Sequence, residues 1–454
     1  MIAAPAAVAE RLDGFVVSTL GAAGDPGVAL VVVNSHGVVS CRGFGRDVDG
    51  NRVTCDTPFA LASLTKSVTA IAAVQLAENR SIELDAPITR YLPWLAVSGQ
   101  AAAGITVRDL LNQRSGFDTA SGLAYLAVPA SAKMTLEARV RALAGARVGR
   151  PGERFEYSNA NYDLLGAIVE ARSGIPYQSY VRKRVFASLG ITRVAFACDE
   201  PVRGFVRIFS IPVPAPRFPR LCADVPAGGL VMSASQYGRY LAAHLDAGKT
   251  WSRAILSAAG WETLHRSPPD EPYAMGWYES FNTDGLRELR HNGWAPDFHG
   301  FAVLYPSLDI GAARLANANE VPDAGRSTPI EIGMERILRG ANPPQPPFIP
   351  PDLYLRLAVL AALILATFSM LRRTRTIAAA VFASVVKIGA IVTILVYVLP
   401  QWGYSPYVGF IFSPDLSTML FVLIVLLAIG AVRALIWILN PTPQPAARAR
   451  GRGP

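Results

Sequence analysis

Leu61-Ala62-Ser63-Leu64-Thr65-Lys66-Ser67 sets a serine three residues before a lysine. The pair stands at the head of an apolar run, residues 63–79, whose pattern predicts a helix. On a helix, residues three apart share a face, so Lys66 lies beside the Ser63 hydroxyl. The helix N-terminus favours negative charge on an attacking alkoxide, and a desolvated lysine can take the serine proton. A second S-x-x-K, Ser384-Val385-Val386-Lys387, falls inside a long apolar run with no companion motif and reads as coincidence.

The segments on either side of this helix predict the fold. Residues 27–33 and 38–45 read as strands joined by the turn Asn34-Ser35-His36-Gly37, a hairpin. Residues 106–112, 162–172 and 177–189 read as helices, the last stopped by Gly190. Residues 275–280, 286–294, 300–305 and 310–317 alternate like antiparallel strands, and 330–338 reads as a closing helix. Strands at both ends with helices between predict an α/β (α+β) fold. One antiparallel sheet is assembled from both termini and flanked by helices, with a helical subdomain beside it.

Two further motifs carry chemistry. Tyr157-Ser158-Asn159 is a Y-x-N in a turn before an apolar helix. In extended backbone the Tyr157 hydroxyl and Asn159 amide point the same way, one to relay a proton and one to hold a carbonyl. Taken singly, the pair could equally be a packed ring and a helix cap. His291-Asn292-Gly293-Trp294 places H-x-G on a strand, where glycine permits close backbone approach and the next N–H can donate to an oxyanion. A lone histidine there could equally be a satisfied sheet residue.

In this order and spacing the three motifs resemble the serine β-lactamase/penicillin-binding-protein superfamily, and within it the class C, esterase and D-aminopeptidase branch. The stretches Ile105-Thr106-Val107-Arg108-Asp109-Leu110-Leu111-Asn112, Asn161-Tyr162-Asp163-Leu164-Leu165-Gly166 and Pro226-Ala227-Gly228-Gly229-Leu230 add to the likeness, which spans residues 16–338. The resemblance implies a serine hydrolase with Ser63 as acylated nucleophile, Lys66 as its activating partner and Tyr157 as general base and acid with Lys66. It implies that Asn159, His291 and Gly293 bind substrate and that the Ser63 and Trp294 N–H groups form the oxyanion hole. His291 stands where lactamases usually carry lysine. That weakens the cation that would hold a β-lactam carboxylate and favours esterase or peptidase activity. Trp294 replaces the commoner small turn residue. The alternatives are a β-lactamase or D,D-carboxypeptidase, and a non-catalytic penicillin-binding-type membrane receptor.

The composition agrees with a membrane attachment. Charged residues make up 17% and apolar residues 51% of the 454-residue chain, against about 25% charged in soluble domains. Cut at the Pro-rich linker 342–352, the formal charge of +9 divides unevenly. Nine basic and two acidic residues follow Asn342, leaving +2 for the domain 1–341. A nucleic-acid partner is therefore not expected; the expected partners are a small-molecule or peptide substrate and membrane lipid, with no cofactor and no metal. Asp297, His291 and His299 fit no zinc spacing. Residues 353–371, 377–399 and 417–439 read as three transmembrane helices, ending in a basic cytoplasmic tail, 441–454. Arg372, Arg373 and Arg375 between the first two place that loop inside and the catalytic domain outside. Lys387 is mid-span, either a polar relay or a lysine satisfied by a neighbouring helix. Met1-Ile2-Ala3-Ala4-Pro5 lacks a signal-peptide n-region, but Ala7-Val8-Ala9 resembles a cleavage site, so an upstream start is expected. Cys41, Cys55, Cys198 and Cys222 could form two disulfides, locally Cys41–Cys55 and Cys198–Cys222, or remain buried thiols.

Overall fold

The computed structural model describes residues 4–95, 104–123, 134–146, 148–216, 224–283, 285–319, 327–344, 351–371, 376–395, 409–410 and 412–439. Its central sheet has six antiparallel strands: β1 (Gly27–Asn34), β2 (Gly37–Gly45), β3 (Tyr278–Phe281), β4 (Arg287–Ala295), β5 (Phe298–Tyr305) and β6 (Ile310–Ala316). Their spatial order is β2-β1-β6-β5-β4-β3, so the N-terminal hairpin pairs with the last strand, Val28 opposite Ala316. The predicted two-ended assembly is what forms.

The sheet is buried on both faces, which explains why β1 reads as an unbroken apolar run. Side chains alternate along a strand. Ala29, Val31 and Val33 join the larger core, while Val28, Leu30 and Val32 join a second one. The second core is covered by α1 (Pro5–Ala23) and α5 (Ser327–Leu338). Helix α1 is absent from the sequence expectation. Val8 and Ala9 are buried in it, so the pattern read as a processing site belongs to a packed helix. The larger core holds α2 (Lys66–Glu78), α3 (Asn159–Ser173) and α4 (Ala234–Asp246). Gly238 lets α4 lie on the sheet, since a Cβ there would come 2.6 Å from Val31. The chain 177–189 is not one regular helix: it passes from α (Tyr177–Val181) through a π turn (Arg182–Phe186) to a 3-10 turn, and ends at left-handed Gly190.

Cys41 and Cys55 form a disulfide, their Cα atoms 5.8 Å apart. Cys198 is also disulfide-bonded, and residue 222 lies outside the described residues. The free-thiol alternative therefore fails for the described cysteines.

The chain forms two compact units, one of Met1–Leu353 with Tyr404–Pro414, the other of Tyr354–Gly403 with Asp415–Pro454. The second contains most of α6 (Pro351–Leu371) and α8 (Pro414–Leu439), both apolar and long enough to cross a membrane, and all of α7 (Ile377–Thr393). The expectation of three spans is thus met by two helices. Helix α7 has 17 residues, roughly 26 Å at 1.5 Å per residue, against a hydrocarbon core of about 30 Å; residues 396–399 lie outside the described set. In this unit Arg356 and Asp415 form a buried ion pair, Nε to Oδ2 2.7 Å, and Val359 packs with Leu416, Met419 and Leu420. Lys387 lies against Gly430 of α8, where a Cβ would come 2.9 Å from its Nζ. The bundle thus makes room for this lysine through a glycine.

Candidate active site

Ser63 sits in a single 3-10 turn, Ala62–Thr65, that runs into α2. Ala62 is left-handed, φ 47°, which costs a residue with a Cβ about 1–2 kcal/mol. The segment after Asp224 holds the turn in that shape. Leu61 N–H donates to the Leu230 carbonyl at 2.9 Å, and Leu230 N–H donates to Thr65 Oγ1 at 3.2 Å. Thr69 Oγ1 donates to the Pro226 carbonyl at 2.6 Å. The stretch 226–230, read from sequence only as a family likeness, is the clamp on the Ser63 turn and the helix after it.

Lys66 is fully buried. Its Nζ lies 2.9 Å from Ser63 Oγ, 2.8 Å from Asn159 Oδ1 and 2.8 Å from the Ala227 carbonyl. The last two are obligate acceptors, so each takes an N–H. In the neutral amine the remaining position is the lone pair, and it faces the Ser63 hydroxyl. Burial lowers the Lys66 pKa to about 7, opposed by the charges of Asp224 and Asp163. The sequence had no means of showing the Ala227 carbonyl, because a backbone acceptor leaves no residue signature.

The Tyr157 ring centroid lies 4.9 Å from Lys66 Nζ. Burial raises the Tyr157 pKa above its ordinary value, and its hydrogen bond to Ser63 works the other way. The phenol is therefore protonated wherever Lys66 titrates. Tyr157 can therefore donate a proton over the range in which neutral Lys66 can accept one. Because Asn159 turns Oδ1 toward Lys66, its NH₂ is the group left for a substrate carbonyl.

His291 lies on β4 and is buried. Its Nε2 is 2.9 Å from the Tyr273 hydroxyl and its Nδ1 2.6 Å from the Asn292 carbonyl. The carbonyl can only accept, so Nδ1 carries the proton and Nε2 accepts from Tyr273. Burial, then the Lys66 charge, push the His291 pKa down to about 3. This goes beyond the expectation of a weakened cation: the ring is neutral throughout the physiological range, and both nitrogens are already engaged. Tyr273 carries no sequence signal for this role.

Gly293 brings two backbones together. A Cβ there would sit 2.2 Å from the Leu61 carbonyl, and one at Gly300, its partner across β5, 2.7 Å from the Leu64 side chain. The close approach is thus to the nucleophile's own turn, and it brings Trp294 to the same cleft. Strand β3 last pairs at Tyr278 with Arg290, so from His291 onward β4 runs past its neighbour's end. Trp294 is 42% exposed. The cleft, about 310 Å³, is lined by Ser63, Thr119, Tyr157, Asn159, His291 and Trp294 among others, and none of its described lining residues carries a fixed charge. Asp297 and His299 stay outside it: Asp297 accepts from Gly204 N–H at 3.0 Å, and His299 faces Glu331 at 3.3 Å.

Known proteins share this fold. The chain is 27% identical over 322 residues to "Protein flp" of Staphylococcus aureus (strain COL), covering 68% of this chain and 63% of that protein, so it spans less than two thirds of that relative's length. It superposes on the octameric penicillin-binding protein homologue from Pyrococcus abyssi with TM-score 0.63 and 26% identity, covering 78% of this chain and 81% of that one. EstCE1, a hydrolase with promiscuous acyltransferase activity, shares the fold at TM-score 0.61 and 21% identity, covering 73% and 98%. Residues 12–332 match the Beta-lactamase family. With the Ser63–Lys66–Tyr157 cluster at the junction of sheet and helices, over a match longer than half its length, the chain belongs to the beta-lactamase family.

Proposed function

We propose that this chain is a membrane-anchored serine hydrolase that acylates Ser63 with a neutral ester or amide and releases the acyl group to water. One observation carries the reading: Ser63 Oγ lies 2.9 Å from an amine whose other two neighbours are fixed acceptors and whose pKa is about 7. Neutral Lys66 takes the Ser63 proton as Oγ bonds to the substrate carbonyl carbon. The Ser63 and Trp294 N–H groups receive the oxyanion, a role worth about 3–4 kcal/mol per donor in other hydrolases. The oxyanion collapses, the bond to the leaving group breaks, and the proton returns through Lys66 and Tyr157 to that group. Water then attacks the acyl-enzyme by the same path.

A carboxylate on the substrate meets no fixed cation in the described cleft lining, and His291 is neutral. This disfavours β-lactams and D-Ala-D-Ala peptides and favours uncharged esters or amides of the cell envelope. The arginines between α6 and α7 support a cytoplasmic loop there and a catalytic domain on the outer side, with α7 as a third span.

The test is labelling with a fluorophosphonate, together with turnover of p-nitrophenyl esters, nitrocefin and a D-Ala-D-Ala peptide. Ser63-dependent labelling and ester turnover exceeding nitrocefin turnover are expected. Equal labelling of Ser63→Ala removes the nucleophile assignment. Stable labelling by a fluorescent penicillin without turnover favours the receptor.

A further inference from the structure

The cleft has a wall that comes from outside the catalytic sequence. Phe412 lines it together with Ser63, Tyr157 and Trp294. Phe412 belongs to Tyr404–Pro414, which is part of the same compact unit as Met1–Leu353 although about fifty residues of chain separate the two segments. The next residue, Ser413, is 2% exposed, so the chain beside Phe412 is packed. Pro414 then begins the apolar helix α8. The segment between two apolar helices therefore does more than connect them.

The neighbours of Phe412 give the chemistry it would recognise. Leu123, Tyr278 and Trp294 line the same cleft. Polar groups come from Ser63, Thr119, Tyr157, Asn159, His291 and Asn292, none with a fixed charge, and Leu123, Tyr278, Trp294 and Phe412 supply the apolar wall. Such a cleft binds an uncharged carbonyl at one end and an aliphatic or aromatic acyl group along its wall.

We propose that Phe412 is a specificity-determining residue that selects substrates with an extended apolar acyl chain. The proposal rests on the hydrolase reading above and deepens it by naming the substrate class. Each methylene buried in such a wall raises kcat/KM by about fourfold.

The test uses the full chain in detergent, with p-nitrophenyl acetate, butyrate and hexanoate, for wild type, Phe412→Ala and Phe412→Trp. Wild type is expected to prefer hexanoate. Phe412→Ala should lower hexanoate kcat/KM by about tenfold or more with acetate changed less than about twofold. Phe412→Trp fills the same space and should shift the optimum toward butyrate or acetate. Acetate turnover reports in each sample that the Ser63 chemistry and the fold are intact. A wild-type profile flat in chain length overturns the proposal, as does a hexanoate-to-acetate ratio unchanged in both variants. Ester turnover that survives Ser63→Ala overturns the hydrolase reading instead, so the two failures are distinguishable.

Discussion

The pH dependence of acylation isolates Lys66. Its pKa is lowered from 10.5 to about 7, chiefly by burial, a preference for the neutral amine of about 5 kcal/mol. With a pKa near 7, about one tenth of the amine is neutral at pH 6 and about nine tenths at pH 8. The kcat/KM for p-nitrophenyl acetate should therefore rise about tenfold between these values, with a midpoint near 7. The neighbours cannot supply that midpoint. Tyr157 is pushed above its ordinary value by burial, and His291 is pushed down to about 3. His291→Gln should leave the midpoint where it is, whereas Lys66→Arg, permanently charged, should abolish turnover. A midpoint above 9, or one that moves with His291→Gln, refutes the assignment. The same shift acts on stability. Between pH 7 and 10.5 the unfolded chain keeps a proton that the folded chain has lost, so this group's contribution rises with pH across that window. Lys66→Met removes the cost of burying the amine, and should raise the Tm at pH 7 while eliminating activity.

Gly293→Ala would put a Cβ 2.2 Å from the Leu61 carbonyl, about 1 Å inside contact, so β4 or the nucleophile turn must move by that amount. A displacement of this size at reacting groups costs about 100-fold, and kcat/KM retained within threefold of wild type would show slack that the packing denies. Arg139→Met strands Asp163, which is fully buried 3.1 Å from the guanidinium, and should cost about 3–5 kcal/mol in urea unfolding. Arg139→Met with Asp163→Leu should recover most of that loss, and no recovery would mean that Arg139 acts mainly through its bond to the Gly122 carbonyl.

The parts of this molecule legible in its sequence are those with a local period or a side-chain signature. Strand β1 and its hairpin announce themselves by apolar alternation and turn chemistry. Ser63, Lys66, Tyr157, Asn159 and His291 announce themselves because the motifs name those side chains, and the structure brings four of them to one cleft with Lys66 buried against Ser63. What stayed hidden is carried by backbone or by long-range packing. The Ala227 carbonyl accepts from Lys66 whatever side chain residue 227 bears. Gly300 matters only because it lies across from Gly293, a register no spacing rule supplies. Helix α1 was hidden because its Ala-rich start also reads as a processing signal, and its packing against α5 through Phe15 and Gly333 is long-range. Phe412 sits in a segment that looks like a connection until the fold makes it a lining residue of the cleft that holds Ser63.

The exchange of histidine for lysine on β4 acquires its meaning from the surroundings of the ring. A histidine open to solvent would still be partly charged near neutral pH and could stand in for lysine at low efficiency. His291 is instead enclosed, accepts from Tyr273 at one nitrogen and donates to the Asn292 carbonyl with the other. A proton on Nε2 would reverse the Tyr273 hydrogen bond, the hydroxyl oxygen then accepting, and would sit near Lys66, whose charge already lowers the His291 pKa. Burial and cationic repulsion would act likewise on a lysine at this position, and its charge would lower the Lys66 pKa as well. A cation there and a base near 7 compete for one environment. A neutral histidine spares Lys66 that repulsion, which fits the proposal that the cleft takes uncharged esters or amides rather than substrates held by a carboxylate.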